Sequence, residues 1–170
     1  GWRRVKTLSG CVNEKVFNRL SDSKRAELRQ TYGFAQDEFI VSTGSRSQLR
    51  KLFPQIIEGF SLFKKQNPGV KTRLIAYTDV NEGWDLSKHL KEHGLEDTDL
   101  LLPYRCRATG EVFYFPPRKG DFDNPKSGHK ASVRCIGLGN FAPESAINDF
   151  LNIADVFILC ITSGGFELFL

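Results

Sequence analysis

Arg46 and Lys51 stand just beyond Gly44-Ser45, with Arg50 beside Lys51. A short apolar run, Phe39–Val41, precedes them and reads as a buried strand. A helical period follows: Leu52, Ile56, Phe60 and Phe63, with Ile57 widening the stripe. A strand that feeds a helix through a glycine turn aims backbone N–H groups and the helix dipole at one point, and that point favours an anion. The chemistry these residues suit is the binding of a phosphate or diphosphate. The same spacing also fits a solvated basic first turn of a surface helix, and charge alone favours that plainer reading. A second glycine turn, Thr162–Glu167, contains Gly164, Gly165 and Phe166 and follows the most strand-like run of the chain, Asp155–Cys160.

Metal chemistry has fewer footholds. Cys106-Arg-Ala-Thr109-Gly110 and Asn124-Pro-Lys-Ser127-Gly128 have the spacing of two zinc knuckles, but only Cys106 is a cysteine. The segment 103–131 therefore reads as a ribbon-shaped hairpin insertion without its metal. His89 and His93 stand one helical turn apart among Lys88, Lys91 and Glu92, which reads as a polar face. Asp97-Thr-Asp99 and Asp121-Phe-Asp123 follow no strong strand, and Trp84 and the Phe-rich runs read as core.

The elements that must position these residues follow from pattern. Ser21-Asp22 supplies cap chemistry for a charged helix, Ser23–Tyr32, closed by Gly33. Phe39–Val41 is followed by a helix over Leu52–Gln66, with Pro54 in its first turn, and Asn67-Pro68-Gly69 ends it. Leu74–Tyr77 is the next strand, Asp85 caps a helix over Leu86–His93, and Leu100–Leu102 is a brief apolar run. Val112–Phe115 suits a hairpin strand, Val133–Ile136 resumes the core pattern, and a helix runs from Pro143 to about Ala154. Val5–Leu8 is a weak strand. Strands alternating with helices predict βαβ units, hence an α/β, Rossmann-like doubly wound parallel sheet whose ligands bind beyond the carboxyl ends of its strands. Both glycine turns then fall on that edge.

A length of 170 residues suits a single domain, and the 14 phenylalanines supply ample core. The formal charge of +4 suits an anionic small molecule and falls short of a nucleic-acid-binding composition. No apolar run reaches the roughly 18 residues a membrane span needs. The four cysteines contain no Cys-x-x-Cys pair and demand no oxidising compartment, so a cytoplasmic setting is expected. The chain has no Met and reads as an excerpt open at both ends.

Two motifs together carry a family likeness. Ser45-Arg46-x4-Lys51 with Ile56-Ile57-Glu58-Gly59-Phe60 resembles the Gly-Arg-x4-Lys-Gly…Leu-Ile-Glu-Ala-Phe run of retaining GT-B glycosyltransferases of family 4. Asn152-Ile153-Ala154-Asp155-Val156-Phe157-Ile158-Leu159, then Ser163-Gly164-Gly165-Phe166, resembles their Ala-Asp-Val-Phe-Val-Leu-Pro-Ser…Glu-Gly-Phe-Gly run. Asn13–Phe17 is similar to the linker before the donor domain, and the likeness spans nearly all the chain except 103–131.

The resemblance implies that residues 1–170 are one nucleotide-sugar-binding domain, the C-terminal half of a GT-B enzyme, incomplete at its C-terminus. Arg46 and Lys51 would hold the diphosphate of a UDP- or GDP-sugar without a metal or other cofactor. Gly164, Gly165, Phe166 and Glu167 would line phosphate and sugar. The sequence departs from the family where the first acid of its Glu-x7-Glu pair falls on Gly164; Glu167 lies three residues further, and the second acid falls beyond Leu170. The acceptor domain is absent, so no catalytic residue is assigned and turnover by this fragment is not expected. The competing reading is a non-catalytic module whose basic ribbon contacts protein or nucleic acid through Arg105, Arg107, Arg118, Lys119, Lys126, Lys130 and Arg134, with Tyr104, Tyr114 and Phe115.

Overall fold

A computed structural model describes residues 13–130, 133–135 and 144–162. Four parallel strands form the body of a mixed six-stranded sheet: β1 (Phe39–Gly44), β2 (Thr72–Tyr77), β3 (Leu100–Cys106) and β6 (Val156–Phe157). Their spatial order is β3-β2-β1-β6, so the chain winds outward from β1 and then returns to its other side. Two further strands, β4 (Val112–Phe115) and β5 (Val133–Cys135), run antiparallel to the outer half of β3, one on each of its edges.

Helices cover both faces. On one, α2 (Phe53–Gln66) and α3 (Leu86–Glu92) bring Phe53, Ile56, Ile57, Phe60, Leu86 and Leu90 against Val41, Leu74, Ala76, Leu100 and Leu102. On the other, α1 (Asp22–Tyr32) and α4 (Glu144–Ile153) enclose Ile40, Ile75 and Tyr77 with Phe34, Phe150 and Ile153. Neighbours in a strand thus point into different cores, which is why the central strands read as unbroken apolar runs. The architecture is α/β and compatible with a Rossmann-like fold. No helix among the described residues is long and apolar enough to cross a membrane.

The caps agree with the sequence reading. Ser21 Oγ accepts the Lys24 N–H and Gly33 closes α1 in the left-handed conformation, while Asp85 accepts the Lys88 N–H at the start of α3. Four expectations need correction. Helix α2 begins at Phe53; Leu52 lies before it with φ 36°, joining a 3-10 turn (Leu49–Lys51) to the helix. Strand β6 is two residues long, and Cys160 beyond it is half-buried. β3 does not stop at Leu102 but runs on to Cys106, where β4 and β5 pair with it. Val133–Cys135 pairs antiparallel to β3 and does not extend the parallel core. Val5–Leu8 and Pro143 lie outside the described residues.

Candidate functional site

The sheet's strand order reverses between β1 and β6, and at such a reversal the loops leaving the two carboxyl ends part to opposite faces and leave a crevice. The Ser45–Lys51 turn and the Ile158–Thr162 segment leave the sheet there. They meet: the Thr162 N–H donates to the Arg50 carbonyl at 3.0 Å, and the Ile158 N–H bonds the Ser42 carbonyl at 2.8 Å. The structure therefore brings the first motif and the start of the second onto one rim. Gly164, Gly165, Phe166 and Glu167 lie outside the described residues.

Within the first turn the two cations differ. Lys51 is buried, 3 % exposed, in the 3-10 turn that leads to α2. Arg46 is exposed, and its guanidinium grips the Glu82 carboxylate at 3.0 Å. That bond and the Glu82 charge push the Arg46 pKa above its ordinary value, with a smaller contribution from Asp79. The first turn of α2 holds no acidic residue and no side chain caps it. Its start thus offers positive dipole without a built-in counter-charge.

Sequence reading missed what steadies this turn. The loop between β2 and α3 folds over it: Ser47 Oγ accepts the Trp84 N–H at 3.2 Å, Ser45 N–H bonds the Tyr77 carbonyl at 3.1 Å, and Glu82 holds Arg46. The sequence of this loop does not show which turn it meets.

The second motif's Asp155 has a structural role. Its carboxylate accepts the Ile40 N–H at 2.7 Å and pairs with Arg25 and Arg29, each at 2.7 Å. The two guanidiniums also cap the last carbonyls of α4, Arg25 on Asn152 and Ala154, Arg29 on Ile153. Asp155 ties α1, β1 and α4 together at the root of β6. Partial burial pushes its pKa up, but the Ile40 N–H and the two arginines outweigh that and hold it below the usual carboxylate range.

The other candidates resolve into structure. His89 stacks edge-on against Trp84 and bonds Glu92 at 2.8 Å. Asp99 pairs with Lys64 and Asp121 with Arg107. No group of three His, Cys, Asp or Glu side chains has metal-binding geometry among the described residues. The rings of β3, β4 and the segment after them point inward: Tyr104 is fully buried against Phe113, Phe115 and Phe122, and Tyr114 packs on Tyr32 and Phe34. They are core, not stacking platforms for bases.

A scan against protein-family models and a search of curated proteins found no match to this chain.

Proposed function

We propose that this chain is the donor-binding domain of a retaining GT-B glycosyltransferase and that it holds a nucleotide-diphosphate sugar at the β1–β6 crevice. The observation that carries the reading is the junction of the two motif segments, Thr162 N–H on Arg50 O, at the point where the strand order reverses. Arg46, Lys51 and the uncapped start of α2 supply positive potential there. The leaving diphosphate gains charge as the glycosidic bond breaks, so cations fixed in advance stabilise the transition state more than the ground state. Arg46 would exchange Glu82 for phosphate, trading one anion for another. The free thiol of Cys160 fits the cytoplasmic setting that belongs to this reading.

The test is thermal stabilisation by UDP-glucose and GDP-mannose, with UDP and GDP alongside. One of the two nucleotide series is expected to raise Tm in a saturable way. Arg46→Ala should weaken that binding by about ten- to a hundredfold, the equivalent of roughly 1.5–3 kcal/mol for a charge-assisted contact. Since Arg46 is exposed, the variant should fold normally. No saturable shift with any of the four ligands sinks the proposal.

We also propose that the insertion is a metal ribbon rebuilt around hydrogen bonds. Cys106 and Asn124 are buried at the first knuckle positions. Gly110 and Gly128 hold positive φ at the fifth, each returning its N–H to the first residue's carbonyl at 2.8 Å. Asn124 Oδ1 accepts the N–H groups of Lys126 and Ser127, and Thr109 Oγ1 accepts that of Glu111, where thiolates would stand in a metal knuckle. Thr109→Cys, Asn124→Cys and Ser127→Cys together complete a four-thiolate set with Cys106. This triple variant is expected to bind one Co2+ with the absorption of a tetrahedral thiolate site and to gain several degrees in Tm on adding Zn2+. Octahedral or substoichiometric cobalt would show that the two turns do not face each other as knuckles do.

A further inference from the structure

Residues 103–135 hold seven Lys and Arg against Glu111, Asp121 and Asp123; seven less three is +4, the entire excess of 24 basic over 20 acidic residues in the chain. The remainder of the protein is balanced, so the positive field originates in the insertion. Two of its cations are spent internally, Arg107 on Asp121 at 3.1 Å and Lys126 on Glu111 at 3.0 Å. Arg118 lies over the Phe122 ring at 4.9 Å.

Arg105 and Arg134 are different. They are direct partners in the β3–β5 register, both exposed, and so stand side by side on one face of the ribbon. Neither has an acidic partner among the described residues. The residue opposite Arg105 on its other edge is Val112, which brings no charge. Directly opposed cross-strand residues have Cβ atoms about 5 Å apart, and like charges there repel. The end of the Arg105 side chain lies beside Gly110, in the turn between β3 and β4. Two arginines opposed across a ladder are costly alone, and their long side chains can converge on one tetrahedral oxyanion, which each fork can bind bidentately.

We propose that Arg105 and Arg134 form a phosphate-binding site on the insertion, separate from the donor crevice and independent of it. The ligand is a phosphate group, carried either by a soluble molecule or by a lipid headgroup. The inward-facing aromatic rings leave no platform for nucleobases, which sets a polynucleotide aside as the favoured ligand.

The experiment follows the arginine Nε–H resonances of the full chain carrying Arg46→Ala, to silence the donor turn. Inorganic phosphate is titrated in one arm. Vesicles of phosphatidylcholine with phosphatidic acid are sedimented with the protein in the other. The expected result is a saturable shift of two Nε–H signals, each assigned by its loss in Arg105→Gln or Arg134→Gln. Vesicle binding should fall at least tenfold in the double variant if the phosphate comes from lipid, and phosphate alone should suffice if it is soluble. A control, Lys15→Gln with Lys65→Gln, removes the same charge elsewhere and should leave binding within twofold. Arg134→Glu should raise Tm while abolishing binding, because it relieves the repulsion that the ligand otherwise relieves. The proposal is overturned if neither probe binds or if the control loses as much as the double variant. It is equally overturned if duplex DNA binds and that binding survives both substitutions.

Discussion

Asp155→Ala is expected to destabilise the protein by about 3–5 kcal/mol, because it leaves the guanidinium of Arg29, only 3 % exposed, without its counter-charge. Arg29 would keep the Ile153 and Glu38 carbonyls, at 3.0 Å and 3.1 Å, but neutral acceptors do not replace a carboxylate. The Ile40 N–H, which the same carboxylate accepts at 2.7 Å, would lose its partner as well. For a domain of this size the loss corresponds to roughly 10 °C in Tm. Asp155→Asn should recover part of it by accepting the Ile40 N–H. The pH dependence carries a second signature. The folded pKa of Asp155 is depressed, so its contribution is complete above the ordinary aspartate value of about 3.9 and disappears as pH falls through the folded value. Urea unfolding between pH 3 and 7 should therefore show a smaller difference between wild type and Asp155→Ala at the acid end. A difference that stays constant across that range would mean that packing, and not the charge, carries the effect.

That carboxylate marks the boundary of what the sequence discloses. The run around it was legible as a strand, yet its role depends on Arg25 and Arg29, well over a hundred residues away, and spacing says nothing about such distances. Helix α2 shows the same boundary at closer range. The stripe of Ile56, Ile57 and Phe60 was visible because burial imposes a period of 3.6. Its start was placed one residue early because Leu52 takes a left-handed conformation that side-chain pattern does not encode. The reach of β3 was underestimated for a related reason. Pro103 interrupts a strand pattern, but here it sits where pairing on one edge passes from β2, at Leu101, to β5, at Tyr104. Neither strand needs an N–H from it, so the usual penalty for a strand proline does not arise. Of the candidate site, the cationic turn and its meeting with the segment after β6 were readable. The Glu82 latch was not, because it is made between two loops whose only common property is the edge they leave from.

A second large effect is expected at Gly83. Its φ of +64° lies in the left-handed region, and a Cβ there would fall on the carbonyl oxygen of Ser47. Gly83→Ala therefore combines the left-handed penalty of about 1 kcal/mol with a backbone clash that no rotamer can relieve. The loop or the turn must move, at a total cost of roughly 2–4 kcal/mol. What moves is the turn that carries Arg46, for Ser47 accepts the Trp84 N–H and its neighbour Arg46 donates to Glu82. On the proposed donor-binding reading, the variant should thus lose nucleotide-sugar binding out of proportion to its loss of stability. Gly59→Ala is the matching control: it sits inside α2 with nothing within 4 Å of its would-be Cβ. By helix propensity it should gain about 0.5–1 kcal/mol and bind as wild type does. Measuring Tm and UDP- or GDP-sugar affinity for both variants at a temperature where both are folded separates the two effects. If Gly83→Ala binds donor normally once folded, the β2–α3 loop does not shape the crevice, and the support it gives to the Arg46 turn is structural alone.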